Sequence, residues 1–391
     1  MTHRIVVLGA GYAGTHTAGR LAHRLHPDAA GITLVNADPE FVERIRMHQL
    51  ATGQRLRSRA VRDLVPGATV RTARVTAVDV DRKRVTLDDQ DEIGYDTLVH
   101  ALGSTAAEHG VPGVAEHAHH LAGKPAALRL RDRLAELAAG ATVLVVGGGL
   151  TAIEAVTEIA ESRPDLAVAL ATRGAPGDWL SDRARAHLRA TLDRLGVTVH
   201  EDTDVVGVDA AGVDTAAGAR IPADVTVWAA GFATHPIAAA STLEVAGSGQ
   251  IVVDATMRSV SHPDVYAVGD AALAPGAGGK PLRMSCASGI PMAWRAADAL
   301  TARLTGRPVP DAPIGYTLQC ISLGRRDGIV QLVTPDDRMK PSVVTGWAAA
   351  RVKEFICAGA GWSVGHPTVL LPSVRRRITA ADATALSQQQ G

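Results

Sequence analysis

The chain has 391 residues, of which 46% are hydrophobic and 20% charged, the profile of a soluble globular protein of two or three domains. Lys plus Arg number 40, as do Asp plus Glu, so no net field draws in nucleic acid or a highly charged partner. Aromatic residues are only 3%, which excludes stacking platforms for single-stranded nucleic acid.

Arg4 to Leu8 is a short β-branched run and reads as a buried strand. It leads straight into Gly9-Ala10-Gly11-Tyr12-Ala13-Gly14, too soon for a secretory signal, and a helix follows to about Leu25. Ile32 to Val35 is the next strand. Val70 to Val80 and Lys83 to Leu87 alternate like a β-meander around an Asp81-Arg82 turn. Thr97 to Ala101 is a strand ending at Gly103.

The plan then repeats. Ala127 to Ala139 reads as a helix, and Thr142 to Val146 as a strand that enters Gly147-Gly148-Gly149 and a helix to about Glu161. Leu166 to Ala171 is a strand. Val197 to Asp209 and Gly212 to Ile221 form a second meander, and Val225 to Ala229 is a strand ending at Gly231. Ile251 to Asp254 and Val265 to Val268 are further strands, and Pro281 to Leu304 includes a helix. Residues 307–313 are a proline-rich linker. This organisation predicts an α/β protein with two Rossmann-like dinucleotide-binding domains, each with a three-stranded β-meander, plus a small C-terminal α+β module. The expected boundaries are residues 1–115 and 245–313 for the first domain in two segments, 116–244 for the second, and 314–391 for the terminal module.

A strand that ends in G-x-G-x-x-G and opens a helix suits a dinucleotide. The first glycine allows the tight turn, the second lets backbone approach a pyrophosphate, and the third lets helix and strand pack closely. The helix N-terminus offers unpaired N–H groups to the phosphates. Gly9, Gly11 and Gly14 fit in full, and Gly147, Gly149 and Ala152 fit the alanine variant. Either turn alone is a weak signal; two, each in its strand–turn–helix context, are a strong one. Asn36 stands where the second strand of the first unit should offer a polar group to the adenosine ribose, with Asp38 two residues on. The equivalent stretch of the second unit is Ala171-Thr172-Arg173. It has no acid, and Arg173 suits a 2′-phosphate, which favours NADPH over NADH.

With these features the chain resembles the FAD/NAD(P)-binding pyridine nucleotide oxidoreductases over about residues 3–300. The resemblance rests on residues 9–14, Ala101-Leu102-Gly103-Ser104, residues 147–154, Ala229-Ala230-Gly231-Phe232 and residues 265–270. It implies that Tyr12 and Ala13 join the first turn in holding FAD and that Leu150 and Thr151 join the second in holding NAD(P)H. Gly269 and Asp270 resemble the motif whose carboxylate bonds the FAD ribitol. Within that superfamily the chain is most similar to type II NADH dehydrogenases, through Gln49-Leu50-Ala51-Thr52-Gly53 and through Gly147 to Glu154. Such enzymes lack a redox dithiol. Cys286, Cys320 and Cys357 agree: they form no C-x-x-C pair and fit a reducing, cytoplasmic setting.

The expected activity is that of an FAD-dependent NAD(P)H oxidoreductase passing electrons to a quinone or small organic acceptor. Low-turnover redox-sensing or partner-binding flavoproteins and metabolite-tailoring flavoenzymes are the alternatives. Glu154 is the candidate for holding the nicotinamide amide or relaying a proton. The flavin-facing loop, residues 41–48, carries Arg44, Arg46 and His48, which are expected to stabilise anionic flavin or bind an anionic acceptor. The stretch equivalent to the dehydrogenases' quinone helix, residues 285–292, has no glutamine. Together these features predict a polar acceptor in preference to a long-chain quinone.

In the terminal module Ala348, Val352, Phe355, Ile356 and Gly359 recur at helical spacing, with Arg351, Lys353 and Glu354 off the stripe. Such a stripe is expected to cover a neighbouring domain or a homodimer partner. With Arg375, Arg376 and Arg377 near, peripheral contact with the inner face of a membrane is the second reading. Residues 355–374 carry no Asp, Glu, Lys or Arg, but glycines and two prolines break them up, so no span is expected there.

Overall fold

Ile5–Leu8 and Val143–Val146 are buried along their whole length, as strands covered by helices on both faces must be. In the computed structural model, which describes residues 2–309, 312–368 and 374–379, each lies at the centre of a five-stranded parallel sheet. The first sheet runs in the order Val265–Ala267, Thr97–His100, His3–Leu8, Ala30–Asn36, Thr69–Thr72. The second runs Thr198–His200, Ala167–Ala171, Thr142–Val146, Val225–Trp228, Ala118–His119. The strand Val265–Ala267 thus returns, after the whole second sheet, to the edge of the first. The fold is α/β, with Rossmann-like dinucleotide-binding units.

Each unit carries an antiparallel meander: Val75–Asp79, Arg84–Leu87 and Glu92–Gly94 in the first, and Val205–Asp209, Gly212–Thr215 and Arg220–Pro222 in the second. The long alternating runs divide more finely than expected. Thr69–Thr72 and Thr198–His200 are edge strands of the parallel sheets, and only the residues after them enter the meanders. An exposed edge strand alternates in the same way as a meander strand, so periodicity alone does not separate the two. A short ribbon, Ser104–Ala106 against Phe232–Thr234, ties the two units together at the strand ends that follow Gly103 and Gly231.

The terminal module is a three-stranded antiparallel sheet, Leu318–Ser322, Gly328–Val333 and Met339–Thr345, crossed by the helix Trp347–Ser363. Of the expected covers for that helix's apolar stripe, the neighbouring domain is not the one found. The inner face of the helix is Ala349, Lys353, Cys357 and Gly361, whereas Trp347, Val352 and Trp362 stand exposed and Phe355 is 79% exposed. Small residues set this rotation, because they allow the helix to lie against the strands: a Cβ on Gly328 would stand 3.1 Å from Ala350 N. The apolar stripe therefore covers no neighbouring domain among the described residues. Of the arginine triplet, Arg376 pairs through its backbone with Leu25 and Arg377 forms an ion pair with Asp28. The linker residues 310–311 and residues 369–373 of the uncharged stretch lie outside the described residues. Among those described, no helix is long and apolar enough to cross a membrane.

Candidate functional site

The two glycine turns open onto one cavity of about 1070 Å³. Its walls come from the carboxyl ends of both parallel sheets, where ligands sit in folds of this kind.

In the first turn Gly9 has φ +95°, and a Cβ there would lie 2.4 Å from the Ala101 carbonyl oxygen. A Cβ on Gly14 would lie 1.8 Å from the Gly9 carbonyl oxygen, so the helix Tyr12–Arg24 can approach the strand only with glycine at that position. Gly11 faces open space and caps the helix without a side chain, which leaves the first N–H groups free for an anion. Gly9, Gly11, Tyr12, Ala13, Ala101, Leu102, Gly103, Gly269 and Asp270 all line the cavity. Gly14 acts from behind, through packing.

Asn36 lines the cavity too, but both ends of its amide are engaged. Oδ1 accepts from Ala10 N at 2.8 Å and Nδ2 donates to the Asp38 carbonyl at 2.7 Å. Asn36 therefore braces the glycine turn, which explains an amide where a carboxylate is usual. The Asp38 carboxylate accepts from Glu40 N and does not line the cavity.

The second turn repeats the construction. Gly147 has φ +136°, with a would-be Cβ 2.4 Å from the Ala229 carbonyl oxygen. Gly149 is open and uncapped, and Ala152 is fully buried at the third position. Gly147, Gly149, Leu150, Thr151, Thr172, Arg173, Ala230 and Gly231 line the cavity. Arg173 does not stand alone: its Nε is 2.7 Å from Asp204 Oδ1, and Asp204 also lines the cavity. The acid missing from the strand end is thus supplied by the loop before the second meander.

Glu154 lies in the first turns of the helix Leu150–Ser162 and is only 8% exposed, so it is not a solvated surface carboxylate. Oε1 lies 2.8 Å from Lys353 Nζ and accepts from Ser322 N at 3.1 Å, while Oε2 lies 3.9 Å from His48 Nδ1. Burial acts to raise the Glu154 pKa, but the Lys353 ammonium overrides it and holds the group below its usual range. Burial likewise opposes the charge on Lys353, and Glu154 raises its pKa in spite of that. The pair is therefore charged. His48 is pushed by burial down to about 4 and is neutral at pH 7. Glu154, His48 and Lys353 all line the cavity.

The expected cationic wall takes another form. Arg44 lines the cavity but is tied down: Nη1 donates to the Ser104 carbonyl at 2.5 Å, and Nη2 to Ser104 Oγ at 2.9 Å. Ser104 Oγ in turn donates to Asp270 Oδ2 at 2.6 Å. Arg46 does not line the cavity. It turns toward the terminal helix, 2.7 Å from Glu354 Oε1 and 3.2 Å from Glu43 Oε2. A guanidinium on a loop goes to the carboxylates it can reach, and no sequence pattern announced Glu354. With His48 neutral, the loop of residues 41–48 presents one anchored guanidinium to the cavity.

Sequence reasoning missed Lys353, Ser322 and Asp204. A trace of Lys353 was legible as the one long side chain among small residues at a four-residue spacing, Ala349, Lys353, Cys357, Gly361. Cys286 lines the cavity, and burial pushes its thiol up, which disfavours the thiolate. All three cysteines are free.

Comparison with known proteins decides the family. Residues 3–299 match the model of the pyridine nucleotide-disulphide oxidoreductases. The chain belongs to that family. An NADH dehydrogenase-like protein of Mycobacterium tuberculosis is 31% identical over 347 residues, covering 82% of this chain and 86% of its own. A type II NADH:quinone oxidoreductase of Staphylococcus epidermidis is 25% identical over 399 residues, covering 93% and 96%. The solved structure of NDH2 from Plasmodium falciparum superposes with a TM-score of 0.78 at 13% identity, covering 96% of this chain and all of that one; it shows the shared fold. As a pyridine nucleotide-disulphide oxidoreductase, the chain is an oxidoreductase enzyme of the NADH dehydrogenase-like type. Among the described residues no group of His, Cys, Asp and Glu is arranged to hold a metal.

Proposed function

We propose that this oxidoreductase binds FAD along the first glycine turn and NADH along the second, and passes two electrons to a quinone or another neutral small organic acceptor. The observation that carries this reading is the single cavity onto which both turns open, each with an uncapped helix N-terminus directed at it. Gly9, Gly11, Tyr12, Ala13 and Gly14 would hold the FAD pyrophosphate, and Asn36 would mark the adenosine end. Ala101, Leu102, Gly103, Gly269 and Asp270 would hold the flavin and ribitol end. Gly147, Gly149, Leu150, Thr151 and Ala152 would hold the nicotinamide dinucleotide, with Thr172 and the Arg173–Asp204 pair at its adenosine and Ala230 and Gly231 at its nicotinamide. Bound FAD would supply the two-electron chemistry that no side chain here offers.

The domain division follows from the same reading. Residues 1–115 and 245–313 form the FAD unit, 116–244 the NADH unit and 314–391 an interface module. Its support is the return of Val265–Ala267 to the first sheet.

Glu154, kept charged by Lys353, would orient the nicotinamide amide and take or give the proton that accompanies acceptor reduction. Arg44 would fix Ser104, which in turn fixes the Asp270 carboxylate. A neutral acceptor is favoured because Arg46 faces away from the cavity, Arg44 is anchored and His48 is uncharged. This replaces the anionic acceptor expected from sequence. The exposed Trp347, Val352, Phe355 and Trp362 stripe suits peripheral contact with a membrane, where a lipophilic quinone would reside.

The test is direct. Denaturation of the purified protein should release FAD, and anaerobic NADH should bleach the flavin spectrum in a single rapid phase. Release of FMN, the absence of flavin after reconstitution, or a spectrum indifferent to both NADH and NADPH would overturn the reading.

A further inference from the structure

Three carboxylates, Glu154, Glu158 and Glu161, follow one another along one side of the helix Leu150–Ser162, at intervals of four and three residues. Neighbours at such spacing lie about 5–6 Å apart between Cβ atoms. Glu154 faces the cavity. At the other end, Glu161 accepts from Arg325 N at 2.5 Å near the surface. Glu158 lies between them and is only 1% exposed. One of its oxygens, Oε1, accepts a hydrogen bond from Gln54 Nε2. The other, Oε2, is buried and has no hydrogen-bond partner among the described residues.

Gln54 opens the way to solvent. It lines a second, shallower depression of about 540 Å³ on the outside of the molecule, together with Gln49, Arg46 and Arg325. Glu158 therefore sits behind Gln54 on the solvent side and one helical turn from Glu154 on the cavity side. A structural carboxylate at such depth would be expected to have its lone pairs satisfied; Glu158 instead keeps an oxygen in reserve.

The proposed reaction requires a proton from water. NADH supplies a hydride, which is two electrons and one proton. A quinone takes up two electrons and two protons to become a quinol. One proton per turnover must therefore reach the acceptor in the cavity from solvent. We propose that Glu158 is the relay for this proton, receiving it from solvent beside Gln54 and handing it to Glu154 for the acceptor. This inference rests on the function proposed above. In the step, the Glu158 O–H bond breaks as an O–H forms on Glu154. That bond breaks in turn as the acceptor oxygen is protonated, and water beside Gln54 reprotonates Glu158.

The charges around Glu158 fit a relay. Burial pushes it up to about 7, against the pull of Arg325 from the loop between the terminal strands and of the Gln54 hydrogen bond; Glu161 and Glu154, on its own helix, push the same way as burial. His48, on the facing helix Met47–Ala51, is uncharged at neutral pH. Lys353, from the terminal helix, is committed to Glu154. Because Lys353 keeps Glu154 ionised, the resting proton belongs on Glu158 and occupies Glu154 only in transit. A group that titrates near the working pH can both accept and release its proton readily.

The experiment compares the parent holoenzyme with Glu158→Gln and Glu158→Asp. Carbon-13 NMR of glutamate-labelled protein should show one carboxyl titrating near neutrality, absent in Glu158→Gln. Flavin reduction by NADH should be unchanged in Glu158→Gln, while reoxidation by a quinone slows by about a hundredfold and loses its inflection near neutral pH. Glu158→Asp should restore much of that rate. A Glu158 carboxyl that titrates in the ordinary carboxylate range overturns the relay. So does intact quinone turnover with a pH profile indifferent to Glu158→Gln. If the parent protein reduces no acceptor, the functional reading itself falls, and the relay with it.

Discussion

Lys353 Nζ lies 2.8 Å from Glu154 Oε1, so the helix Trp347–Ser363 reaches into the cavity beside the second glycine turn. Both side chains are nearly buried, at 14% and 11% exposure. Removing charge from water is costly, and the pair is maintained by mutual attraction and by the Ser322 N–H bond to the carboxylate. The terminal module is therefore part of the site, because it supplies the cation that keeps Glu154 ionised.

This gives a prediction about stability. Lys353→Met leaves a buried carboxylate without its cation and should cost about 3–5 kcal/mol. The double substitution with Glu154→Gln removes both charges and should recover part of that loss. Urea melts of the four proteins give the coupling energy. If the double variant is as unstable as the sum of the singles, the buried pair is not an energetic unit.

The Arg173–Asp204 contact yields a second prediction, on cofactor choice. Asp204 pairs with Arg173 and offers a carboxylate beside the proposed adenosine site, which suits a ribose hydroxyl and repels a 2′-phosphate. NADH should therefore be used at least as well as NADPH, in contrast to the preference expected from Arg173 alone. Asp204→Asn should free Arg173 and lower the KM for NADPH roughly tenfold, the scale of one charge-assisted contact. Arg173→Ala should raise the KM for NADPH and leave that for NADH nearly unchanged. A parent enzyme that strongly prefers NADPH, with a ratio insensitive to both substitutions, would remove this pair from cofactor selection.

The same contact illustrates what the sequence could and could not convey. The two glycine turns were legible because a strand, a tight turn and a helix are local, and each glycine answers a steric demand within a few residues of itself or at a strand end predictable from the fold. Asp270 was legible through its motif. Asp204 was not, because it reaches the strand end from a loop whose path depends on the meander after it. Arg46 was misplaced for a related reason. Its direction is set by Glu354, which belongs to a helix far along the chain. The rotation of that helix was hidden too: its small inner residues, which permit close packing, carry less hydrophobic signal than the aromatic residues left outside.

The last prediction follows from that redirection. Arg46 bridges Glu43 and Glu354, with its own side chain 10% exposed and those carboxylates 13% and 43% exposed. Arg46→Ala should therefore loosen the terminal helix from residues 41–48, with a cost of about 1–3 kcal/mol once the solvent screening of Glu354 is allowed for. It should leave the relative KM values for anionic and neutral acceptors unchanged, because Arg46 is outside the cavity. Arg44 is the contrast. Arg44→Ala frees Ser104 and, through it, the Asp270 carboxylate, so it should weaken FAD retention more than it alters acceptor preference. Thermal melts, flavin content after gel filtration, and turnover with a lipophilic quinone and an anionic acceptor separate the two effects. If Arg46→Ala instead raises the KM for the anionic acceptor alone, without loss of stability, the arginine does act in the acceptor site and the neutral-acceptor argument is wrong.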